Sequence, residues 1–189
     1  MLEPDIMLNL YAQGAFPMAD ENKVISWYQP EIRTVIPVGK FNCPRSLKKF
    51  MKKSDFTYKF DVDTIKIIEM CAERDETWIT EELIDAYAGL EQTGHLHSVG
   101  VYQNDLLVGG LYGVSYKGAF FGESMFSKVS QASKTALVKL MLRLSTQNFT
   151  LLDVQFQTEH LKMFGTIEIP FLEYSNLLVN AYQDKSIIF

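Results

Sequence analysis

Three apolar runs joined by two tight connections restrict the middle of the chain to one arrangement. HSVGVY, LLVGGLYGVS and AFFGESMF occupy residues 97–102, 106–115 and 119–126, and each has the length and composition of a β-strand. The connections QND and YKG are of the hairpin type, with residues that suit a tight turn. The sequence therefore predicts an antiparallel meander at the centre of the fold.

Helical patterns flank this meander. The segment DVDTIKIIEMCAER begins behind a capping Asp63, and TEELIDAYAGLEQTG starts at Thr80 and stops at Gly94. After the meander, the helix QASKTALVKLMLRL is followed by the strand FTLLDVQF, a short helix in TEHLKMFG and the amphipathic FLEYSNLLVNAY. The long helix has one apolar face: Ala132, Ala136, Leu137, Leu140, Met141 and Leu144. This order predicts an α+β fold with an acetyltransferase-like (GNAT) sheet.

The pattern of prolines and apolar residues changes near residue 55. Before that point, short apolar pieces such as TVIPV alternate with prolines: Pro4, Pro17, Pro30, Pro37 and Pro44. Proline has no backbone N–H and interrupts regular elements. We therefore expect a small, irregular N-terminal domain over 1–55 and the acetyltransferase-like domain over 56–189.

Composition narrows the class of protein. Hydrophobic residues make up 47% of the 189 residues and aromatic residues 13%, which excludes a disordered chain. The apolar runs are shorter than the roughly 18 residues that a membrane helix needs, so we expect no membrane association. Glu3 and Asp5 stand where a secretory signal would be basic, which indicates a cytoplasmic protein.

The spacing of cysteines and histidines does not favour a metal site. Cys43 and Cys71 are far apart and form no CxxC motif. His95 and His97 are close in sequence and His160 is distant, a pattern more typical of hydrogen bonding in loops than of zinc ligands. We therefore expect neither a disulfide framework nor a metal.

The formal net charge of -5 argues against a general nucleic-acid binder. One segment, PRSLKKFMKK, nevertheless concentrates five cations: Arg45, Lys48, Lys49, Lys52 and Lys53. Its spacing favours a solvated helix face, and a local contact with phosphates is the alternative.

Polar residues inside apolar elements are the candidates for chemistry. Strand alternation would place Glu123 on one face with Phe121 and Met125. A buried carboxylate there needs a partner, a proton or the cation of a ligand, and bonds to nearby backbone amides or to Lys134 are the structural alternative. In LLDVQF, Asp153 and Gln155 are two residues apart and share a face at the end of a strand, a common form for a site.

Ten segments resemble, in order and spacing, the leucyl/phenylalanyl-tRNA-protein transferases. They are YAQGAFPM, WYQPEIR, PRSLKK, TWIT, GHLHSV, LLVGGLYGV, FFGESMFS, ASKTAL, LLDVQ and HLKMFGTIEIP, and together they span almost the whole chain. The resemblance implies an enzyme that moves Leu or Phe, with Met as a further candidate donor, from charged tRNA to a protein that begins with Arg or Lys. Such proteins enter the bacterial N-end rule route of degradation. The implied partners are the 3′ end of aminoacyl-tRNA and the acceptor protein, with no cofactor, and we expect a monomer.

The resemblance also implies roles for individual residues. Glu123 lines the pocket of the transferred amino acid and helps to orient the ester, while Asp153 and Gln155 lie beside the reacting carbonyl. Gln155 either relays a proton or orients groups, and we favour orientation, with Asp153 holding the Gln155 amide, because an amide is a very poor base. Trp78 matches a Trp that stacks on the terminal adenosine, and Trp27 is its companion. The apolar donor pocket would be built from Phe120, Met125, Leu137, Leu140, Leu144 and, at its rim, Leu111.

The sequence departs from the family at several positions. Gly100 replaces the usual Glu, Tyr102 the usual Trp, and Phe171 the usual Arg after EIP, while LKMFGT differs from the usual LASLGA. These differences leave the donor pocket unchanged and concern acceptor preference and rate. They motivate one alternative, a non-catalytic or altered-specificity relative that binds a tRNA end or a peptide. A CoA-dependent N-acetyltransferase is the other alternative, although the RxxGxG/A segment that would cradle pyrophosphate is missing.

Overall fold

The computed structural model describes residues 2–184 and 187–189 of the chain. Its helices, α1 to α7, are Pro4–Ala12, Arg45–Met51, Thr64–Ala72, Glu81–Gln92, Ala132–Thr146, Glu159–Lys162 and Phe171–Ala181. Its strands, β1 to β9, are Phe16–Ala19, Ile25–Tyr28, Ile32–Ile36, Thr57–Phe60, Leu96–Gln103, Leu106–Tyr116, Ala119–Ser127, Leu151–Gln155 and Ile167–Pro170. Helices and antiparallel strands are mixed along the chain, which confirms the predicted α+β class.

The large sheet has the strand order β4-β5-β6-β7-β8-β3-β9, and β1 pairs with β2 in a separate hairpin. Neighbouring strands of the large sheet are antiparallel, except that β7 and β8 are parallel. The predicted meander is confirmed as β5, β6 and β7. In its first turn Asn104 and Asp105 have φ values of 50° and 61°. Asn and Asp tolerate this left-handed conformation better than most residues, which is why QND makes a tight turn.

Helices cover both faces of the large sheet. One apolar core joins the sheet to α1, α3, α4 and α7, and includes Met7, Ile67, Leu83, Tyr87 and Leu178. The second core joins the other face to α2 and α5, and includes Leu47, Leu137, Leu140, Leu144 and Leu152. All six residues of the apolar face predicted for α5 are buried, so that prediction is confirmed. Because both faces of the sheet are packed, the ends of its strands are held in place.

The two predicted helix caps have different outcomes. Thr80 caps α4 as predicted, because its Oγ1 accepts a hydrogen bond from the backbone N–H of Leu83 at 3.3 Å. Asp63 precedes α3 but makes no capping hydrogen bond, so this predicted cap is wrong. Its carboxylate instead accepts a hydrogen bond from the hydroxyl of Tyr102 at 2.9 Å, which ties the start of α3 to β5.

The N-terminal part of the chain is regular, so the expected irregular structure is wrong. It contains α1, the hairpin of β1 and β2, strand β3 and helix α2. Strand β3 enters the large sheet between β8 and β9, with Thr34 beside Gln155 and Val35 beside Asp153. The large sheet therefore contains strands from both sides of residue 55, and the division into domains 1–55 and 56–189 stays a prediction. Among the described residues, no helix combines the length and the apolar character needed to cross a membrane.

Candidate active site

A cavity of about 410 Å³ lies at the point where β7 and β8 separate. The two strands run parallel and pair over a short stretch that ends with Phe121 beside Asp153. Both strands then continue to the same edge of the sheet, where Glu123 and Gln155 line the cavity. Helix α5 supplies the apolar floor and α6 supplies an outer wall. The cavity is thus built from chain segments on both sides of the parallel strand pair.

Glu123 enters the cavity wall through a β-bulge. The register of β6 and β7 shifts between Tyr112 and Gly113, and the extra residue on β7 is Glu123. A bulge turns the side chains that follow it to the opposite faces of the sheet. Phe121 accordingly packs in the core with α4, whereas Met125 packs against the core with α5. The expected alternation that placed Phe121, Glu123 and Met125 on one face is therefore wrong.

Two neighbours hold the Glu123 carboxyl group. Tyr87 donates its hydroxyl to Oε2 at 2.9 Å, and Gln155 donates from Nε2 to Oε1 at 2.9 Å. The Tyr87 hydroxyl also bonds to that of Tyr11 at 3.0 Å. Burial raises the pKa of Glu123 to about 8, even though the bond from Tyr87 acts to lower it. Glu123 is therefore mostly a neutral acid at neutral pH, and a cation brought beside it would favour its ionised form.

Gln155 has a strained backbone conformation at the end of β8. Its φ is 64°, in the left-handed region that residues with a side chain adopt infrequently. The backbone N–H of Phe156 donates to the carbonyl oxygen of Val154 at 2.8 Å across this turn. Three-residue turns with a positive central φ are strained, and such strain is found at functional sites. The turn brings the Gln155 amide to Glu123.

Asp153 is fully buried behind the cavity and does not line it. It accepts hydrogen bonds from Nη2 of Arg33 at 2.5 Å and from the hydroxyl of Tyr174 at 2.7 Å. It also accepts a bond from the backbone N–H of Gln155 at 2.8 Å. Asp153 thus holds the backbone of Gln155 rather than its side-chain amide, contrary to the expectation from the sequence, and stabilises the strained turn from behind.

The apolar wall contains four of the six residues expected in the donor pocket: Leu111, Met125, Leu137 and Leu140. The other two, Phe120 and Leu144, are fully buried in the core behind that wall. Phe120 packs closely on Gly113, where an added Cβ would lie 2.4 Å from its ring. Helical and strand periodicity predicts which face a residue occupies, but it does not distinguish a cavity wall from the layer beneath it.

Trp27 lies on β2, Trp78 lies beside β1, and neither lines the cavity. Both side chains are half-buried. The rings of Trp27 and Tyr11 meet edge to face with centroids 5.8 Å apart. The carbonyl oxygen of Trp78 accepts a bond from the backbone N–H of Ala19 at 3.3 Å. Because Tyr11 bonds to Tyr87, the hairpin region adjoins the group that holds Glu123.

The five cations of the basic cluster lie on α2 and in the turn that follows it. Leu47 anchors this helix in the core, while all five cations are exposed: Arg45, Lys48, Lys49, Lys52 and Lys53. A solvated helix face and a contact with phosphates both require exposed cations, so each of the two stays a prediction. An exposed row of cations is also free to contact phosphates.

The departures from the family lie outside the cavity wall. The Tyr102 ring leaves no room for a side chain at Gly100, because a Cβ added there would lie 2.8 Å from the ring. Phe171 begins α7, and its ring packs on that of Tyr174 with centroids 5.7 Å apart. None of the three side chains lines the cavity. The lining of the candidate site is therefore unaffected by these differences.

Histidines and cysteines form no metal centre within the part of the chain that the structure describes. No group of three or more His, Cys, Asp or Glu side chains there is placed to hold a metal ion, and both cysteines are buried thiols. His95 contacts the carbonyl oxygen of Ser115 at 3.0 Å, and His97 contacts Asp61 and Ser115, each at 3.0 Å. His160 is different, because it lines the cavity.

Three residues around the site, Arg33, Tyr87 and Tyr174, are not evident as site residues from the sequence. Arg33 lies in the apolar stretch EIRTVIPV. A cation buried there needs an anionic partner, so the sequence indicates a buried acid, and Asp153 is one candidate. Tyr87 and Tyr174 lie on the apolar faces of helices, where a buried phenol needs a hydrogen-bond partner. The identity of that partner depends on tertiary structure.

A sequence profile described as leucyl/phenylalanyl-tRNA protein transferase matches residues 35–179. The chain belongs to this family. A second profile, for the N-terminal domain of the same transferase, matches residues 1–31. The family consists of aminoacyltransferases, so the cavity is the candidate active site of an enzyme.

Three relatives named leucyl/phenylalanyl-tRNA–protein transferase match over most of their length. The transferase of Herpetosiphon aurantiacus is 47% identical over 183 residues, which are 96% of this chain and 95% of the relative. The transferases of Salinibacter ruber and Rhodopseudomonas palustris are 43% and 44% identical, cover 95% and 98% of this chain, and are themselves covered over 80% and 85%. The solved structure of FemX superposes with a TM-score of 0.60 over 88% of this chain and 66% of FemX, at 13% identity. That likeness shows a shared fold.

Proposed function

We propose that this transferase moves a leucyl or phenylalanyl group from charged tRNA to the α-amino group of a protein that begins with Arg or Lys. The observation that carries the proposal is an apolar cavity with one fixed carboxyl group in its wall, Glu123, held by Tyr87 and Gln155. The apolar lining suits a hydrophobic side chain, and the carboxyl suits the ammonium group next to it. Met is a further candidate donor, because Leu and Met walls adapt to different guests.

The chemistry of this reaction requires positioning more than strong acid or base catalysis. An aminoacyl ester is already activated, and an α-amino group has a pKa of about 7.7 to 8.0, so an appreciable minority is neutral at pH 7. Holding the two reactants together then supplies much of the rate enhancement. The amide of Gln155 orients groups near the ester, because an amide neither gives nor takes protons at neutral pH.

Charge favours an aminoacyl donor over a simple acyl donor. Glu123 is neutral in the empty cavity, and the ammonium group of the donor would ionise it on binding. The resulting contact is a charge-assisted hydrogen bond, which is about twice as strong as a neutral one. An acyl group without an ammonium would leave Glu123 neutral and would gain no such contact.

The rest of the tRNA end would extend from the cavity toward the hairpin region. Trp27 and Trp78 are half-buried there, and an exposed part of an indole ring can stack on the terminal adenosine. The exposed cations on α2 would contact phosphates of the acceptor stem. We also propose that the protein is a monomer in the cytoplasm, where charged tRNA is found, and that its product enters the N-end rule route of degradation. The chain would consist of an acetyltransferase-like domain and a small N-terminal domain.

The N-terminus of α5 disfavours a CoA-dependent reaction. In an acetyltransferase this helix terminus would receive the pyrophosphate through its free N–H groups. Here the N–H of Ala132 donates to the carbonyl oxygen of Val129 at 3.3 Å, and that of Ser133 donates to Oγ of Ser127 at 3.2 Å. A Cβ added at Gly109 would lie 2.4 Å from Cβ of Ala132, so the helix end is packed closely on β6.

The direct test is transfer of labelled Phe from tRNA to short peptides that differ in the first residue. We expect label in peptides that begin with Arg or Lys, and none in a peptide that begins with Ala or in an Arg peptide whose α-amine is acetylated. Binding of charged tRNA without transfer to any peptide would contradict the proposal and favour the non-catalytic relative.

The proposed donor pocket makes a prediction about donor choice. Leu137→Trp would fill part of the cavity, because Leu137 lies on its floor. We expect transfer of Phe to fall about tenfold more than transfer of Leu, equivalent to about 1.4 kcal/mol of discrimination. Overpacking alone destabilises by roughly 1 to 3 kcal/mol, so thermal melts must accompany the rates. Leu142→Trp on the exposed side of the same helix is the matched control. Equal loss for both donors would place the pocket elsewhere.

The basic cluster makes a second prediction. If Lys48 and Lys52 contact the acceptor stem, changing both to Ala should weaken binding of charged tRNA and reduce the slope of log affinity against log salt by about one per contact. Lys66→Ala, an exposed lysine on α3, should leave the slope unchanged. Filter binding over a salt series measures both. A slope that the double variant does not alter would mean that the cluster is only a solvated surface.

A further inference from the structure

The lining of the cavity contains four titratable side chains, and three of them are not available as bases during transfer. The four are Arg74, Tyr112, Glu123 and His160. The guanidinium group of Arg74 cannot act as a base, because arginine is not deprotonated in proteins. Burial, with smaller contributions from Tyr87 and Glu123, raises the pKa of Tyr112 well above its usual value. Glu123, with its pKa raised to about 8, holds its proton until the donor ammonium ionises it, and its carboxylate is then engaged by that ammonium. His160 is the remaining group.

The fold brings His160 to the cavity directly after the strained turn at Gln155. It lies on α6, whose first turn is fixed because Oγ1 of Thr158 accepts from the backbone N–H of Leu161 at 3.2 Å. Thr158 and Leu161 also line the cavity, so the turn as a whole forms its outer wall. The position of His160 is therefore set by the same segment that positions Gln155.

The ring of His160 is an unused base. Its Nε2 is enclosed and has no hydrogen-bond partner in the described part of the chain. Enclosed polar atoms are nearly always paired. Because His160 lines the cavity, a small rotation of its ring would open this nitrogen to a ligand that completes its hydrogen bonding. Burial lowers the pKa of His160, and the nearby cation of Lys134 on α5 lowers it further, so the ring is neutral at pH 7.

The charged groups around His160 are consistent with this state. Arg74 and Glu123 share the cavity with it, and Lys134 faces it from α5. On α6 itself, Glu159 is paired with Lys162 at 2.5 Å and is not available to stabilise an imidazolium. A proton placed on His160 would therefore be released readily, as a proton shuttle requires.

We propose that His160 is a catalytic residue of the transfer, whose Nε2 takes a proton from the attacking nitrogen and gives it to the departing ribose oxygen. This inference rests on the proposed function. The neutral α-amine forms a bond from its nitrogen to the ester carbonyl carbon, and the bond from that carbon to the ribose oxygen breaks. The nitrogen loses one proton as it becomes an amide, and the ribose oxygen gains one as it becomes a hydroxyl. His160 carries that proton between them and returns to its neutral form.

The test is single-turnover transfer of Phe to an Arg peptide by His160→Gln and His160→Ala, over about pH 5 to 9. Gln keeps size and hydrogen bonding but takes no proton, so we expect both variants to lose about a hundredfold in rate, the low end for acid-base catalysis. Below the pKa of His160, the wild-type rate should fall with a slope of two on a log plot, since the amine and His160 must both be deprotonated. The variants should show a slope of one, and added imidazole should restore His160→Ala by about tenfold.

His95→Gln is the matched control, because His95 lies outside the cavity wall, and it should transfer at the wild-type rate. Transfer by the wild type in the same assay establishes the proposed function independently of His160. A near-normal rate for His160→Gln, or a variant slope of two at low pH, overturns the proposal. Thermal melts and charged-tRNA binding identify any variant that fails to fold, and the other variant then decides the outcome.

Discussion

Asp153→Asn will destabilise the protein by about 3 to 5 kcal/mol, because it leaves the guanidinium group of Arg33 buried without a counter-charge. Both side chains are 0% exposed. The guanidinium group also donates to the carbonyl oxygen of Gly14 at 2.6 Å and lies 4.7 Å from the ring centroids of Phe16 and Tyr174. These contacts hold the cation in place, so it cannot move into solvent when its partner is lost.

Thermal and denaturant unfolding measure this loss, which corresponds to a fall in Tm of about 6 to 20 °C for a chain of this size. Asp85→Asn, at an exposed position on α4, is the control and should stay within about 0.5 kcal/mol of the wild type. The double variant Arg33→Met/Asp153→Asn should lose less than the sum of the single variants, since it removes both charges. Additive losses would show that the ion pair is not the source of the effect.

Local patterns made the meander and the apolar face of α5 predictable from the sequence. Each of these signals lies within a short stretch of sequence. They are the turn QND, the apolar run LLVGGLYGVS, and the spacing of Ala136, Leu140 and Leu144. The candidate residues Glu123 and Gln155 were also identifiable, because a polar residue in an apolar element needs a partner. Tyr87 and Gln155 are the partners that the structure provides for Glu123.

Features that depend on distant pairings were not predictable. The bond between Arg33 and Asp153 joins residues 120 positions apart, and it requires β3 to enter the sheet between β8 and β9. The bulge at Glu123 depends on the register with β6, which the sequence of β7 does not specify. Without the bulge, simple alternation assigns Met125 to the wrong face. The same limit explains why Phe120 and Leu144 were expected in the pocket and lie behind its wall.

Glu123→Gln is the second change with a large expected effect, and it acts on transfer rather than on folding. Gln retains the shape of the side chain and can still accept the bond from Tyr87. It cannot ionise when the donor ammonium arrives, so the charge-assisted contact is lost. Loss of one such contact, at roughly 1.5 to 3 kcal/mol, lowers the rate about ten- to a hundredfold. Glu91→Gln, an exposed glutamate near the end of α4, should transfer normally.

Single-turnover transfer of Phe from tRNA to a peptide that begins with Arg tests the central claim most directly. It compares the wild type with Glu123→Gln and Gln155→Ala, and thermal melts provide the folding control. If Glu123 and Gln155 form the site that orients the aminoacyl ester, both variants fold normally and Glu123→Gln transfers about ten- to a hundredfold more slowly than the wild type. Transfer by a folded Glu123→Gln variant within a few fold of the wild-type rate would contradict the claim and remove Glu123 from the active site.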